Sequence, residues 1–220
     1  AKYLRMNLQE KALHYPLGDA LPARGSHLQV APGVHWVRMA LPFALDHINL
    51  WLIHDHLDGV NGWCIVDCCL DNPDARAQWQ QVFDHVFMGL PVLRVCVTHL
   101  HPDHLGLAHW LCMHWQVPLY ISATDYHTAR TLIHHPPPAQ GSQTQAFFRS
   151  HGLRDSDVLA ALTDRNLQFV HMVPALPSQF VRLTDGLVLR IGDHDWHCIS
   201  GYGHAPEHMA LHCPALNVLI

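Results

Sequence analysis

The stretch "THLHPDHLG", residues 98–106, places three histidines and one aspartate between His99 and His104. The chain contains 22 histidines among its 220 residues, so a chance occurrence has to be weighed first. At that abundance, the pattern His-x-His-x-Asp-His is expected only about 0.02 times in a chain of this length. Histidine abundance therefore does not explain the stretch, which we interpret as a candidate metal site.

The position of this stretch along the chain supports that interpretation. It follows "PVLRVCV", residues 91–97, whose continuous apolar run predicts a buried strand. It runs into "HPDHLGLAHWLCMHW", residues 101–115, which we predict to be a helix. The end of a strand before a helix is where α/β proteins display ligands and chemistry.

The spacing also fits metal chemistry. Side chains alternate along extended backbone, so His99 and His101 point to the same side. Both imidazoles can then reach one metal ion, at about 2.0–2.1 Å for zinc. Asp103 and His104 follow in the turn and are candidates for a second ion, and two metals roughly 3.5–4 Å apart can share a hydroxide nucleophile.

A second candidate stretch is "SGYGHAPEH", residues 200–208, which follows the predicted strand "DWHCI". Gly201 and Gly203 permit an unusual backbone that would bring His204 into a pocket. An ordinary glycine-rich turn explains the same residues. From this stretch alone, both interpretations stay open.

The flanking sequence predicts a layered fold. Three segments rich in Val, Ile, Trp and Leu predict an antiparallel meander, at residues 33–41, 47–55 and 62–70. A helix is predicted after Asn72, with Pro73 in its first turn. Further strands are predicted at 118–122 and in the last 35 residues. Strands that alternate with helices indicate the α/β (α+β) class, with a sheet and helices in layers.

We divide the chain into two regions. Residues 1–29 are predicted to be an N-terminal extension that wraps the domain, and residues 30–220 to be the domain itself. Within it, residues of about 124–168 read as a helical insertion between sheet segments. Such insertions often shape a substrate pocket, so we expect this one to roof the site and set specificity.

Composition narrows the function classes. The net charge is −5, the only lysines are Lys2 and Lys11, and the eleven arginines are dispersed. Because nucleic-acid binders usually carry a basic stripe, we expect a small-molecule substrate and no nucleic acid. A homodimer is compatible with these data.

The sequence also predicts the cellular compartment of the protein. No apolar run is long enough to cross a bilayer, so no membrane partner is expected. Residues 1–25 have no signal-type apolar core. The seven cysteines contain no Cys-x-x-Cys pair and read as reduced thiols. We therefore predict a cytoplasmic protein.

Both histidine stretches together resemble the metallo-β-lactamase-fold hydrolase superfamily. "HLHPDH" matches the superfamily's His-x-His-x-Asp-His signature, and "GHAPEH" is similar to its Gly-His-[Ser/Thr/Ala]-Pro loop. "WCIVDCCLD", residues 63–71, resembles its Val-Asp-Thr-Gly strand end, with Cys68 and Cys69 in place of Thr-Gly. The resemblance covers residues 30–220 and implies an αββα sandwich.

The resemblance also implies roles for individual residues. It assigns the first metal to His99, His101 and His204. It assigns Asp103 and His104 to the second metal, and Asp103 could also orient a water molecule or carry its proton to the leaving group. Asp67 is similar to the carboxylate that steadies the histidine loop. His208 is either a further support of this kind or purely structural, and substrate-binding residues are not identified.

The activity that the resemblance implies is hydrolysis, by a zinc-bound or metal-bridging hydroxide, of a small ester, thioester or lactone. A thioesterase of the glyoxalase II type is the first interpretation, a lactonase the second, and a β-lactamase is less favoured. A metal-dependent nuclease or phosphodiesterase and a non-catalytic metal-binding member are the alternatives. Oxygen-reducing di-iron relatives carry Glu at the position of His101, so imidazole favours zinc here, with iron or manganese as alternatives.

One part of the superfamily pattern is not found. The chain ends at "LNVLI", residues 216–220, without the bridging Asp and the last His of the family. We therefore expect the C-terminal part of the domain to follow beyond Ile220 and to complete a site for two zinc ions.

Overall fold

The computed structural model describes residues 9, 12–135 and 142–220, which form two β-sheets and six helices. The first sheet contains β1 (His27–Ala31), β2 (Val34–Ala40), β3 (His47–Leu57), β4 (Val60–Val66), β5 (Val92–Cys96), β6 (Leu119–Ser122) and β7 (Phe180–Leu183). The second contains β8 (Val188–Ile191), β9 (His194–Gly201), β10 (His208–Cys213) and β11 (Val218–Leu219). The helices are α1 (Pro73–His85), α2 (Pro102–Leu105), α3 (Ala108–Trp115), α4 (Ala123–His134), α5 (Ser142–Ser150) and α6 (Ser156–Met172).

The strands of the first sheet lie side by side in chain order. Strands β1 to β4 pair antiparallel, which confirms the predicted meander, whereas β4, β5, β6 and β7 pair parallel. The sequence did not predict β1 and β7, which are short strands of five and four residues. Because the carboxyl ends of β4 to β7 meet at one edge, the loops after these strands are brought together.

Alternation along the strands builds two cores, one on each face of the first sheet. On β4, Trp63 and Ile65 pack with the helices, while Cys64 and Val66 pack against the second sheet. The core between the sheets consists of strand residues from both, including Trp196 of β9 and Met209 of β10. The predicted α/β class and metallo-β-lactamase-like sandwich are therefore confirmed, with the described residues layered as helices, sheet and sheet.

Local sequence explains most helix boundaries. The Asn72 side chain accepts a hydrogen bond from the Ala75 amide at 2.7 Å, and Pro73 opens α1, as predicted.

The single helix predicted over 101–115 is wrong, because the structure has two helices there, α2 and α3. At Gly106 between them, a Cβ atom would lie 2.5 Å from the Cα of Leu70. This close approach leaves no room for a side chain at position 106, and the next amide, that of Leu107, donates to the Cys69 carbonyl at 2.9 Å and not within a helix.

The predicted insertion is helical and lies between β6 and β7. Its helices, α4 to α6, extend from Ala123 to Met172, slightly beyond the predicted bounds. Residues 136–141, and residues 1–8 and 10–11 of the predicted N-terminal extension, lie outside the described residues. The sheet begins at His27, near the end of that extension. No helix among the described residues is long and apolar enough to cross a membrane.

A buried ion pair ties the two sheets together at the end of the strands opposite the histidine loops. The Arg94 Nε donates to the Asp55 Oδ2 at 2.6 Å, and the two side chains are 5% and 0% exposed. The Gly192 amide, in the turn between β8 and β9, donates to the same carboxylate at 2.9 Å. Asp55 therefore neutralises a buried guanidinium and satisfies a backbone donor of the other sheet.

Replacement of Asp55 by Asn should destabilise the protein strongly. The variant leaves the buried Arg94 charge without its partner, which typically costs about 3–5 kcal/mol. Asp195→Asn is the matched control, because the Arg190–Asp195 pair is exposed and should contribute less than about 1 kcal/mol. Urea unfolding of both variants checks this, and similar small losses would contradict a linking role for Asp55.

Candidate metal centre

Two loops from different sheets meet at the edge where the parallel strands end. His99 and His101 follow β5, and His204 lies in the loop between β9 and β10. The sequence separates His101 and His204 by 103 residues, yet their rings are neighbours, with centroids 4.6 Å apart. The packing of one sheet on the other brings the third imidazole to the first two.

Three imidazole nitrogens converge in a nearly equilateral triangle. The His99 Nε2 lies 3.0 Å from the His101 Nδ1, the His101 Nδ1 lies 3.1 Å from the His204 Nε2, and the last side measures 3.2 Å. A tetrahedral zinc ion bound at about 2.0–2.1 Å requires ligand atoms about 3.3–3.4 Å apart. The triangle is thus close to the size of one face of a zinc tetrahedron, and these residues could hold a metal ion.

The triangle is open on one side. His99 is 2% exposed, His101 is intermediate, and His204 is exposed. Structural zinc sites enclose the ion with four protein ligands, whereas catalytic sites use three and leave one position open. The arrangement of three ligands with one accessible side corresponds to the second type.

A hydrogen-bond chain from Asp67 determines which nitrogen of His99 is free. The Thr98 hydroxyl donates its single proton to the Asp67 carboxylate at 2.9 Å, and the Thr98 amide donates to it at 2.8 Å. The hydroxyl has no second proton, so it can only accept a hydrogen bond from the His99 Nδ1, which lies 2.9 Å away. This assigns the proton of His99 to Nδ1 and leaves the Nε2 lone pair directed into the triangle.

Burial keeps these imidazoles in the form that binds metal. Burial, together with neighbouring histidines of which His104 acts most strongly, lowers the pKa of His99 to about 2. Burial and the adjacent His204 also lower the pKa of His101. A neutral imidazole has a lone pair to offer, so the site does not need to release protons from these residues on binding.

Asp103 and His104 lie beside the triangle. The His104 Nδ1 donates to the Asp67 Oδ2 at 2.7 Å, and its Nε2 faces the Asp103 Oδ2 at 3.5 Å. Burial lowers the pKa of His104, but the carboxylates of Asp67 and Asp103 together outweigh it and leave that pKa above its usual value. His208 lies on the other side of His99, with ring centroids 5.0 Å apart.

The loop with the two adjacent cysteines has a left-handed backbone at two positions. The φ angles of Asp67 and Cys69 are 65° and 68°, a region that favours glycine. The loop is held by the Cys68 amide, which donates to the His104 carbonyl at 2.8 Å. Burial raises the pKa of Cys69 to about 12, so its thiol stays protonated, as is typical of a buried, inert cysteine.

Asp125, in the first turn of α4, connects the two histidine loops and was missed by the sequence reasoning. Its fully buried carboxylate accepts from the Leu100 amide at 2.7 Å and from the Glu207 amide at 2.8 Å. Leu100 lies between His99 and His101, and Glu207 lies three residues after His204. In the sequence, Ser122 and Asp125 match an ordinary helix-capping pattern, which indicates only where a helix begins.

Comparison with known proteins agrees with this geometry. The family model described as the metallo-beta-lactamase superfamily matches residues 44–220. The chain therefore belongs to the metallo-beta-lactamase superfamily. Among curated proteins, none matches this chain.

Solved structures show the same fold. A beta-lactamase domain protein from Burkholderia ambifaria is 44% identical, with a TM-score of 0.83, over 98% of this chain and 59% of its own. A metallo-beta-lactamase family protein from Thermus thermophilus is 22% identical, with a TM-score of 0.68, over 87% of this chain and 59% of its own. A subclass B3 metallo-beta-lactamase of Bradyrhizobium japonicum is 14% identical, with a TM-score of 0.52, over 87% and 57%. The chain thus spans somewhat over half the length of these proteins.

Replacement of Asp125 by Asn should weaken metal binding. An amide offers only one acceptor oxygen, so one of the two loop amides loses its partner. We expect zinc affinity to fall about 10–100-fold, the usual effect of removing a group that orients metal ligands. Competition titration with a chromophoric chelator measures the affinity, and the visible spectrum of the cobalt-loaded protein reports the ligand geometry.

The control for this prediction is Asp74→Asn, which changes a first-turn aspartate of α1. Asp74 lies on the surface and away from both loops, so its variant should bind zinc as the unchanged protein does. Unaltered zinc affinity and cobalt spectrum in Asp125→Asn would show that the two loops hold their positions without this carboxylate.

Proposed function

We propose that this chain carries the metal centre of a metallo-hydrolase that acts on small esters, thioesters or lactones. The triangle of nitrogens from His99, His101 and His204, open on one side, is the observation that carries the proposal. Membership of the superfamily supports the class of reaction. The thioesterase of glyoxalase II type remains the first of the named activities, and the lactonase the second.

We propose zinc as the first metal. Three imidazole nitrogens suit zinc and also iron, copper or nickel, whereas magnesium and calcium prefer oxygen ligands. A zinc ion in this place would polarise a substrate carbonyl and lower the pKa of a water molecule to about 7. The Asp67–Thr98–His99 chain would keep the His99 ring in the orientation that the ion requires.

We propose Asp103 and His104 as ligands of a second ion. Both lie next to the triangle, and the His99 and His104 ring centroids are 4.0 Å apart. The Asp103 Oδ2 and the His104 Nε2 lie 3.5 Å apart. A small movement of the two side chains would let both atoms bind one ion.

Asp103 has a second proposed task, which is to orient a water molecule and move its proton. Its side chain is 25% exposed and lies beside His101 at the rim of a cleft. A carboxylate in this position can accept a proton from water and pass it to the leaving group. Asp67 is bound to Thr98 and His104 and has no access to substrate, so we assign it only a positioning role.

The charge distribution favours a small substrate over nucleic acid. The chain has a net charge of −5, and the described cleft beside His101 is lined by neither Lys nor Arg. A phosphodiester backbone requires such cations. The seven cysteines are all free and buried, which supports a reducing compartment such as the cytoplasm. A homodimer stays a prediction.

Replacement of His99 or His204 by Ala should abolish hydrolysis and stoichiometric zinc binding together. Each change removes one of three ligands, while the core on both faces of the first sheet is unchanged. The measurements are zinc content by atomic emission, turnover of a panel of esters, thioesters and lactones, and the circular dichroism spectrum. His56→Ala, an exposed histidine of β3, is the control and should keep both zinc and turnover.

The possible results separate the proposal from its alternatives. Zinc binding that depends on these histidines, but without turnover of any substrate in the panel, would favour a non-catalytic metal-binding protein. Turnover of phosphodiesters instead of carboxylic esters would favour the nuclease alternative. Turnover retained in His99→Ala would refute the metal site as the catalytic centre.

A further inference from the structure

A cleft of about 660 Å³ opens directly beside the metal centre. Its lining comes from the loop after β2, the metal-binding loop, α4 and α6, and includes Phe43, Leu45, His101, Asp103, Leu132 and Met172. This volume lies within the range of about 300–1,000 Å³ that is usual for small-molecule sites. A molecule in the cleft would therefore touch two of the proposed metal-site residues.

The described residues that line the cleft have apolar side chains apart from those two. The loop after β2 presents Phe43 and Leu45, which are 47% and 58% exposed. The opposite wall is formed by Leu132 of α4 and by Phe169 and Met172 of α6. Large apolar side chains exposed together at one site usually mark a place where an apolar partner binds.

Among the described residues that line the cleft, the only charged side chain is the Asp103 carboxylate. An anionic group at the far end of an acyl chain would lie away from the metal centre against apolar side chains, and it would find no Lys or Arg in the described lining. A neutral hydrocarbon chain meets neither problem, because it replaces water along Phe43, Leu45 and Met172. The lining thus favours ligands by their polarity as well as by their size.

We propose that this cleft binds the acyl chain of the substrate and that the protein prefers neutral, medium-length acyl groups to short or anionic ones. The inference rests on the proposed hydrolase function and specifies its substrate class. The acyl carbon would lie at the His101 and Asp103 end, and the chain would extend between the loop after β2 and the helices α4 and α6. The helical insertion then sets specificity through one wall of the cleft.

Chain length should govern both binding and turnover. A fully buried methylene contributes a factor of roughly four in affinity, and in a cleft open to solvent we expect about 1.8-fold for each. The zinc-loaded protein should therefore bind octanamide about tenfold more tightly than butyramide, as measured by calorimetry. For p-nitrophenyl esters, kcat/KM should rise by a similar factor from butyrate to octanoate.

An anionic ester of matched length tests the role of charge. The p-nitrophenyl monoester of succinate has the four-carbon length of the butyrate ester, with a carboxylate in place of the terminal methyl. Its spontaneous hydrolysis, in which this carboxylate attacks the ester and releases p-nitrophenolate, is subtracted. We expect its kcat/KM to be about tenfold lower than that of the butyrate ester. Equal or faster turnover of the succinate ester would overturn the charge part of the proposal.

Truncation of the cleft wall should remove the length preference. In Phe43→Ala and Leu45→Ala, the ratio of octanamide to butyramide affinity should approach one. Both side chains are partly exposed, so these variants should fold. Met113→Ala is the matched control, because Met113 is 55% exposed on α3 and does not line the cleft, and its ratio should equal that of the unchanged protein.

Measurements of binding and of turnover test this inference and the proposed function separately. A tenfold preference for octanamide that is lost in Phe43→Ala supports the acyl cleft, even if no ester is hydrolysed and the hydrolase proposal fails. Equal binding of octanamide and butyramide, or no binding of either, would overturn the proposal that the cleft binds the acyl chain. In that case, hydrolysis of esters regardless of chain length would still support the hydrolase.

Discussion

The hydrogen bonds of the Asp67 carboxylate are the constraint on which the candidate metal centre depends. Asp67 follows β4, and it accepts from the amide and hydroxyl of Thr98, which follows the neighbouring strand β5. The same carboxylate binds the His104 ring. Because β4 and β5 are parallel, their ends meet, and one buried anion can fix the tautomer of His99 and the orientation of His104 together. The left-handed backbone of Asp67 is consistent with a position determined by these bonds.

Asp125 links the two sheets by hydrogen bonds, as Asp67 links the ends of the neighbouring strands β4 and β5. Its carboxylate binds one amide in the loop that follows the first sheet's β5 and one in the loop of the second sheet. His204 is held by a loop that contains Gly203 with a φ of 130°, so its backbone has little stiffness of its own. A buried anion shared by both loops compensates for this, since two charge-assisted hydrogen bonds restrict both backbones at once.

The fold and the first half of the site could be predicted from the sequence because they depend on local pattern. The meander, α1 and β5 follow from apolar runs and capping residues, and they were confirmed. The single helix over 101–115 was wrong because its interruption after Leu105 involves a distant contact, the hydrogen bond from the Leu107 amide to the Cys69 carbonyl. The strand β7 was missed because four residues carry too little periodicity, and it is stabilised by its pairing with β6 and by the burial of Leu183.

The sequence by itself determined the chemistry: imidazole and carboxylate groups at a strand end, in the order that the superfamily uses. Only the tertiary structure decided which atoms meet. It brought the His204 Nε2 to 3.1 Å from the His101 Nδ1, made Asp125 a link between two loops, and placed Phe43 and Met172 in one cleft. These are contacts between residues far apart along the chain. They result from the packing of two sheets and a helical layer, a long-range arrangement that residue spacing does not encode.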